Sequence, residues 1–383
     1  MEKRGSSSDG ISRRSILKSL GVSVTATSTY SVVAKGEDTV TYPMLVSSDQ
    51  VVKTIEVPRD WDNHRLHARD VLSNVTENLG KIPGVIETQL EAGDTSVGGL
   101  SKLKIVLLYD EDNPPGIANI PSKKEGIQID TRPMPEYGKV GHQCSDETTA
   151  DNCGQNQATD TVPGGYMFGS DRGYGSSCCR VTVDGKERML TVAHSFVDNC
   201  SSSRSDTIGT TAKVNGTVVG SVSDTHLEED WAIVEPDSSA TFQSHIDDAH
   251  SNPTVNGYVT RATLDIWMSD TNYTDPCLEN MGRSTGHTTG KIQATGVSHT
   301  NTCTDYSGEG VKTYCNLAGG DSGSPTYFIS NGDAYIVSVT GYGYNVIGYV
   351  CNASRRQYGN SGGTGAYQLA NQRGIEFGSN TAF

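Results

Sequence analysis

Three short motifs carry the side chains that catalysis by a nucleophilic serine requires. His194 ends one apolar run, Asp230 heads another, and Ser322 lies in the glycine-rich stretch 319–325. A serine hydroxyl is a weak nucleophile unless a base removes its proton, and histidine, which titrates near neutral pH, can take that proton and return it. A carboxylate beside the imidazole fixes its tautomer and stabilises the imidazolium. The three motifs therefore predict covalent catalysis through an activated serine.

The surrounding sequence predicts an all-β scaffold for these side chains. From Gly164 onward, short apolar segments alternate with turns of Gly, Asn and Asp, which is the pattern of a barrel or a sandwich. The segment Val214-Asn215-Gly216-Thr217 predicts a tight hairpin, because Asn-Gly accepts positive φ angles. Residues 164–383 are thus the predicted catalytic domain.

The motifs resemble those of the chymotrypsin-like serine proteases, in the bacterial branch of α-lytic protease and the streptogrisins. The resemblance covers about residues 164–375 and includes Cys179, fifteen residues before His194, and the stretches Arg283–Gly290 and Ile336–Gly343. It implies a trypsin-like fold of two six-stranded β-barrels. It also implies a serine endopeptidase that hydrolyses peptide bonds through an acyl-enzyme.

The resemblance assigns a role to each residue of the site. Ser322 is the implied nucleophile, His194 the general base and then acid, and Asp230 the residue that orients the imidazole. The backbone N–H groups of Gly320 and Ser322 are the implied oxyanion hole.

The substrate-binding residues follow from the same resemblance. Two alignments of the stretch Ile336–Gly343 remain open, so that either Ser338 or Gly341 hydrogen-bonds the substrate backbone, with Gly343 nearby. Asn316 stands six residues before Ser322, where trypsin-like members carry an acid in the specificity pocket. Cleavage after Lys or Arg is therefore not expected.

Two positions near the catalytic residues depart from the family pattern. Ser195 follows the histidine where the family usually has a cysteine, and the cysteine comes instead at Cys200. Ser324 replaces a usual glycine. Neither change alters the three catalytic side chains.

Asp321 precedes the nucleophile in a turn where its carboxylate is expected to be buried, and a buried charge needs a partner. Animal members of the family supply a new N-terminal ammonium by cleavage, and Val162-Pro163-Gly164-Gly165 faintly resembles such a cleavage site. The α-lytic branch uses an arginine, and Arg283 stands in the matching motif. We expect an Arg283–Asp321 ion pair, because a guanidinium stays charged and grips a carboxylate with two hydrogen bonds.

Nine cysteines lie in the last two thirds of the chain. No two of them form a CxxC motif, so a zinc site or a thioredoxin-type site is not expected, and scattered cysteines favour disulfides and export. Cys178 is the expected spare thiol, although strand alternation shows only that one of Cys178 and Cys179 should reach Cys200. The expected pairs are Cys179–Cys200, Cys277–Cys303, Cys315–Cys351 and Cys144–Cys153.

The N-terminus and the charge also point to export. Residues 12–18, Ser-Arg-Arg-Ser-Ile-Leu-Lys, resemble a twin-arginine signal, so residues 1–35 are predicted to be a signal peptide of a secreted protein. The net charge of −15 excludes general nucleic-acid binding, which needs a basic face. It fits adaptation to strong salt as well as chance acidity, and leader and acidity together resemble extracellular proteins of salt-loving archaea. No apolar run approaches about 18 residues, so stable membrane insertion is not expected.

The segment before the catalytic domain contains no cysteine and has a different texture. Apolar residues repeat at helical spacing between Asp60 and Leu79, and Gly80 stands where the helix should end. Val85–Leu90 and Leu103–Leu108 predict a hairpin that turns through Gly93–Gly99, and Ile127–Asp130 predicts a further strand. Residues 36–133 are therefore predicted to form an α+β module, either a pro-region or a permanent accessory domain, followed by a linker at 134–163.

The sequence thus predicts a monomeric, exported serine endopeptidase that acts on protein or peptide substrates without a cofactor or a metal. The alternative is a trypsin-fold protein without turnover that serves in binding or adhesion. An α/β-hydrolase esterase does not fit, because those enzymes place the nucleophile before the acid and the histidine.

Overall fold

The computed structural model describes residues 29–31, 38–79, 81–116, 120–134, 144, 159–198, 202–247, 251–270, 276–300, 305–350 and 355–378. The prediction of a mostly β fold with a small N-terminal α+β module is confirmed. The strands in chain order are β1 Thr29–Ser31, β2 Thr39–Ser47, β3 Gln50–Pro58, β4 Val85–Val97, β5 Leu100–Tyr109, β6 Lys123–Lys124, β7 Ile127–Pro133, β8 Thr161–Gly164, β9 Met167–Gly169, β10 Tyr174–Ser176, β11 Cys179–Val183, β12 Lys186–Thr191, β13 Thr211–Val214, β14 Thr217–His226, β15 Trp231–Pro236, β16 Thr241–Ile246, β17 Thr254–Val259, β18 Leu278–Gly282, β19 Gly286–Gly290, β20 Ile292–Thr300, β21 Asp305–Thr313, β22 Leu317–Ala318, β23 Pro325–Ser330, β24 Asp333–Val350, β25 Arg355–Gly365 and β26 Glu376–Phe377. The helices are α1 Arg59–Asn78, α2 Arg204–Thr207, α3 Arg261–Ser269 and α4 Ala366–Arg373, with one 3-10 turn at His194–Phe196.

The first sheet runs in the order β10-β9-β13-β14-β15-β12-β11-β26 and curls around its own core. Alternate residues of its strands point inward, as a pleated strand requires, and Phe168, Val219 and Val234 are fully buried there. The predicted Asn-Gly hairpin joins β13 and β14, and both turn residues have positive φ, 44° at Asn215 and 86° at Gly216. That prediction is confirmed.

The second sheet contains the remaining strands and receives the N-terminal module edge to edge. Strand β2 pairs with β17, where Val46 lies opposite Tyr258, and β4 pairs with β20, where Leu90 lies opposite Thr295. The strands of the module and those of residues 164–383 therefore form one continuous hydrogen-bonded sheet.

Within the module, helix α1 occupies nearly the predicted span and buries Ala68, Leu72 and Val75. Strands β4 and β5 form the predicted hairpin, but they extend further than expected, and the chain reverses at Gly98 and Gly99, both with positive φ. Strand β7 joins in parallel with β5. The hairpin of β2 and β3 was not predicted, since Pro43 interrupts its first strand pattern.

Two of the segments predicted from the sequence lie largely outside the described residues. In the predicted linker 134–163, the last residues belong to strand β8, which pairs in parallel with β16 and buries Val162. Most of the predicted signal peptide, and Gly80, also lie outside the described residues. Thr29–Ser31 form a strand parallel to β3.

None of the helices in the described part of the chain is long and apolar enough to cross a membrane.

Candidate active site

His194 begins the short 3-10 turn that follows strand β12. Ala193 and Phe196 on either side are fully buried and anchor this turn in the core of the first sheet. The hydroxyl of Ser170 donates a hydrogen bond of 2.7 Å to the carbonyl of Ser195, which fixes the turn from outside the strand. Because the imidazole itself keeps 33% of its surface exposed, it can meet a substrate.

Asp230 closes the turn between β14 and β15 in a left-handed backbone conformation, with φ at 50°. Aspartate is among the residues that tolerate this region, at a cost of about 1–3 kcal/mol that the surroundings must cover. The side chain of Asp230 is 2% exposed. Its carboxylate accepts two hydrogen bonds from His194, one from the backbone N–H at 2.9 Å and one from Nδ1 at 2.7 Å.

The carboxylate of Asp230 also sets the electrostatics of the imidazole. Burial lowers the pKa of His194, but the negative charge of Asp230 and its hydrogen bond outweigh burial, so the pKa of His194 is raised above its usual value. A hydrogen bond from Nδ1–H to this carboxylate leaves the Nε2 lone pair available as a base.

Ser322 lies on a tight turn with positive φ on both sides, 101° at Gly320 and 94° at Gly323. A side chain at Gly323 would collide with the carbonyl of Ser176 at 2.0 Å, so this turn requires glycine there. The N–H of Ser176 donates to the carbonyl of Ser322 at 2.6 Å and ties the turn to strand β10.

Gly175 shows that the turns of Ser322 and His194 lie against each other. A Cβ atom on Gly175 would come within 2.2 Å of the Ser322 carbonyl and 2.9 Å of the Ser195 hydroxyl, the residue after His194. Ser322 Oγ itself donates to the carbonyl of Gly341 at 3.4 Å. Among the described residues, no hydrogen bond joins Ser322 to His194. In active sites, a hydrogen bond between a nucleophile and its base is often long in the free enzyme and shortens only when substrate binds.

The two backbone N–H groups expected to form an oxyanion hole, those of Gly320 and Ser322, donate to no protein acceptor within the described residues. The carbonyl of Gly320, in the peptide group between these two N–H groups, accepts hydrogen bonds from Arg283 Nε and from the Ser176 hydroxyl, both at 3.1 Å. The carbonyl of Gly319, which shares a peptide group with the Gly320 N–H, accepts from the Ser284 hydroxyl at 2.9 Å, so the orientation of that peptide is fixed before any ligand arrives.

The expected Arg283–Asp321 ion pair does not form. Asp321 is fully buried, as expected, but its carboxylate accepts hydrogen bonds from the backbone N–H groups of Ala318, Ser284 and Thr285 and from the Thr285 hydroxyl, at 2.6–3.3 Å. Arg283 reaches the neighbouring carbonyl of Gly320 instead. Four donors replace the counter-charge, and burial still raises the pKa of Asp321 although these hydrogen bonds oppose it.

The two alternatives for the substrate-binding strand occupy different surroundings. Ser338 is 2% exposed and lies between Thr326 and Gly365 in the sheet, whereas the carbonyl of Gly341 is the one that Ser322 contacts. Gly343 packs against Leu317 and Tyr358, and a Cβ there would come within 2.7 Å of either side chain.

Asn316 is fully buried near the start of the nucleophile loop. Neither polar atom of its carboxamide has a hydrogen-bond partner in the described part of the chain. Its backbone carbonyl accepts from the Thr288 hydroxyl at 2.9 Å, so the position of the residue is fixed while its amide remains unsatisfied.

The disulfide predictions are wrong where the structure describes them. Cys144 bonds to Cys277, with Cα atoms 5.7 Å apart and a separation of 133 positions in the sequence. This bond excludes the expected pairs Cys144–Cys153 and Cys277–Cys303. Cys178, Cys179 and Cys315 are buried free thiols, so Cys179–Cys200 and Cys315–Cys351 are not formed. Cys153, Cys200, Cys303 and Cys351 lie outside the described residues.

Sequence reasoning missed the charged pair next to Asp230. Glu229 is 5% exposed and forms an ion pair with Arg373 in the last turn of α4. The acidic run Glu228-Glu229-Asp230 was visible, but nothing local indicates that its middle carboxylate meets an arginine 144 residues away.

No group of His, Cys, Asp and Glu side chains in the described ranges is arranged to hold a metal ion.

No protein-family model and no curated protein matches the chain. Solved structures do match. Thermobifida fusca protease A is 19% identical, with 57% of this chain and 98% of that chain covered and a TM-score of 0.41. A glutamic acid specific serine protease that uses a histidine triad in substrate binding is 16% identical, with 56% and 99% covered and a TM-score of 0.43. Nocardiopsis protease is 20% identical, with 57% and 100% covered and a TM-score of 0.40. The likeness concerns the fold alone.

Proposed function

We propose that the protein is a serine endopeptidase. The observation that carries the proposal is the pair of hydrogen bonds between Asp230 and His194. Next to them, Ser322 lies on a glycine-flanked turn where the N–H groups of Gly320 and Ser322 donate to no acceptor among the described residues. Each part has a use in acyl transfer, and nothing in a purely structural role requires all of them together.

The chemistry proceeds in two halves. Ser322 Oγ turns from the Gly341 carbonyl, attacks the carbonyl carbon of the substrate and passes its proton to His194 Nε2. The oxyanion that forms accepts hydrogen bonds from the N–H groups of Gly320 and Ser322. His194 then protonates the leaving amine, the acyl-enzyme remains, and water repeats the sequence to release the acid.

Asp230 contributes by holding the imidazole rather than by taking a proton. Its two hydrogen bonds to His194 fix both the tautomer and the position of the ring relative to its own backbone. The imidazolium that forms during attack lies beside a buried carboxylate, which stabilises the charge in the transition state.

Substrate specificity is proposed from the residues beside the nucleophile. The substrate backbone is proposed to pair with Gly341 and Gly343, since the carbonyl of Gly341 already lies next to Ser322. Asn316 brings no negative charge, so preference for Lys or Arg at the cleavage site is not expected. Protein and peptide segments are the proposed substrates.

Labelling with a fluorophosphonate tests the function directly. The reagent should modify Ser322 in the native protein, and Ser322→Ala should lose both labelling and casein hydrolysis while its unfolding temperature stays unchanged. Ser330→Ala, at the end of the adjacent strand β23, is the matched control and should keep both. Casein hydrolysis by Ser322→Ala at the wild-type rate would contradict the proposal.

The alternative is a trypsin-fold binding protein without turnover. It is favoured by one observation, the contact of Ser322 Oγ with Gly341 instead of His194. The same labelling separates the two, because a serine that is never activated by His194 does not react with the reagent in the native protein.

The module at 36–133 is proposed to act as a folding aid or pro-region that stays paired with the second sheet until it is removed. Its strands β2 and β4 pair with β17 and β20, which is the support for a role in building that sheet. If residues 160–383 expressed alone refold to full activity, this role is excluded.

Export through the twin-arginine pathway and adaptation to strong salt are proposed from the sequence. Replacing Arg13 and Arg14 together by lysine should keep the precursor inside the cell. For a protein adapted to strong salt, we expect activity to be lost when it is diluted into low salt and to recover when the salt is restored.

A further inference from the structure

Glu229, the residue before Asp230, is held by several hydrogen bonds in the turn between β14 and β15. The N–H of Glu229 donates to the ring Nδ1 of His226 at 3.2 Å. Its carboxylate accepts from the indole N–H of Trp231 at 2.8 Å, and that indole stacks on the ring of His226. Two contacts from the first sheet therefore fix Glu229, and the stacking of their two rings supports both.

Two further contacts come from outside the first sheet. The guanidinium of Arg373, on helix α4, grips both carboxylate oxygens of Glu229, with Nε 3.1 Å from Oε2. The hydroxyl of Thr364, on strand β25, donates to the backbone carbonyl of Glu229. Thr364 thus holds the peptide group that precedes Asp230, while Arg373 holds the side chain of Glu229.

That peptide group determines the position of the Asp230 side chain. It contains the carbonyl of Glu229 and the N–H of Asp230, which are held from opposite sides by Thr364 and by the carbonyl of Leu227 at 3.2 Å. The angle φ of Asp230 describes the rotation about the bond between its backbone nitrogen, which belongs to this peptide group, and its Cα atom, which carries the side chain. Fixing the peptide keeps φ at 50°, which is not where an aspartate rests unaided.

We propose that the Glu229–Arg373 pair, with Thr364, is a positioning device that holds the carboxylate of Asp230 on His194. The proposal rests on the proposed function, in which Asp230 orients the catalytic imidazole. Glu229, Arg373 and Thr364 touch neither the substrate nor the reacting atoms, so they are positioning residues.

The electrostatic surroundings agree with this role. The titratable or charged groups that face Glu229 are Arg373 and His226. Burial raises the pKa of Glu229, but its hydrogen bonds to Arg373 and Trp231 outweigh burial and lower it, so the carboxylate stays charged. Arg373 lies in the last turn of α4, where a cation also interacts favourably with the helix dipole.

The test compares Arg373→Met and Thr364→Val with the matched control Arg188→Met. Arg188, on strand β12, forms an ion pair with Glu235, which lies on β15 at the end away from the turn of Asp230. We expect kcat to fall about 10- to 100-fold in the first two variants with KM within about twofold, because small misplacements of catalytic groups cost this much. Arg373→Lys, which keeps the charge but not the paired hydrogen bonds, should lie between.

A second readout does not depend on turnover. The chemical shifts of the His194 ring protons are followed by NMR as a function of pH. The two proteins compared are Ser322→Ala and Ser322→Ala with Arg373→Met. The pKa of His194 should fall toward 6.5 in the second protein, since the carboxylate that raises it has moved away. Glu229→Gln should give the same shift if Arg373→Met does not fold.

Unchanged kcat and an unchanged His194 titration in variants that are merely less stable would overturn the proposal. Absence of hydrolysis in the wild-type protein would count against the proposed function instead, because the titration of His194 still reports the position of Asp230.

Discussion

Asp230 binds His194 at two points at once, the backbone N–H at 2.9 Å and the ring Nδ1 at 2.7 Å. One carboxylate thus ties the ring to the backbone that carries it, so the imidazole can neither rotate nor exchange tautomers without breaking a buried hydrogen bond. Preorganisation of this kind lowers the cost of reaching the transition state.

The first prediction is a pH dependence set by this contact. Because the pKa of His194 is raised above its usual value of 6.5, the acidic limb of kcat/KM should have its midpoint above pH 6.5. The charged pair also stabilises the fold: its contribution is complete below pH 6.5 and is lost as pH rises through the raised pKa.

Asp230→Asn is the variant that checks this dependence. It should lower kcat by about 10⁴-fold, since the ring loses its anchor and its counter-charge, and the titration of His194 should move down. Rate profiles and NMR titration between pH 5 and 9 measure both effects. An acidic limb that stays in place in Asp230→Asn would show that another group controls it.

The second prediction concerns the charged contacts between helix α1 of the module and residues 164–383. Arg69 on α1 is gripped by the fully buried Asp265 on α3 and also meets Glu309 at 3.0 Å. Arg69→Met should lower the free energy of unfolding by about 3–5 kcal/mol, because it leaves the carboxylate of Asp265 buried without its main partner. Arg59→Met, which removes an exposed pair with Asp38, is the control and should cost less than about 1 kcal/mol.

Acid should act on the same cluster. Burial raises the pKa of Asp265 and Glu309, but the neighbouring arginines outweigh burial and lower both. Their contribution to stability is therefore present above the usual carboxylate pKa and is lost as pH falls through the lowered values. Urea titrations at pH 7 and pH 3 should show the gap between wild type and Arg69→Met closing in acid.

The parts of the fold and site that the sequence predicted are those encoded locally. Helix α1, the β4–β5 hairpin and the Asn215–Gly216 turn each follow from residues adjacent in the chain, and the chemistry-bearing residues stand in short motifs. Periodicity and turn residues act over a few positions, so they can be read without knowing what packs against them.

The parts that failed depend on contacts between distant segments. The partners of Asp321 are backbone N–H groups whose directions exist only after folding, and no residue type announces them. The Cys144–Cys277 bond joins residues 133 positions apart, and the Glu229–Arg373 pair is equally remote. Such contacts are fixed by the path of the whole chain.

The third prediction is the disulfide itself. Digestion without reduction should release one peptide pair that contains Cys144 and Cys277. Cys144→Ser should lower stability by about 2–5 kcal/mol, because the bond restrains a long loop of the unfolded chain. Cys315→Ser serves as the control: this thiol is free and should change stability much less. Recovery of Cys277 linked to Cys303 would contradict the pairing.

The last prediction separates two accounts of Asp321. An ion pair with Arg283 would make the two residues energetically coupled, so that either change alone costs as much as both together. In the structure, the carboxylate of Asp321 accepts hydrogen bonds from four donors instead. Arg283 donates to the carbonyl of Gly320. Asp321→Asn should therefore cost at least about 1–3 kcal/mol, because its amide cannot accept from all four donors.

Arg283→Met should have a different signature from Asp321→Asn. It removes one hydrogen bond to the carbonyl of Gly320, in the peptide group between the two N–H groups of the proposed oxyanion hole. We therefore expect kcat to fall by about 10-fold or more while stability changes by about 1 kcal/mol. A double-mutant cycle of the two, followed by urea unfolding, should give a coupling energy below about 1 kcal/mol. Coupling of about 3–5 kcal/mol is what a buried ion pair would produce, and that result would restore the pairing expected from the sequence.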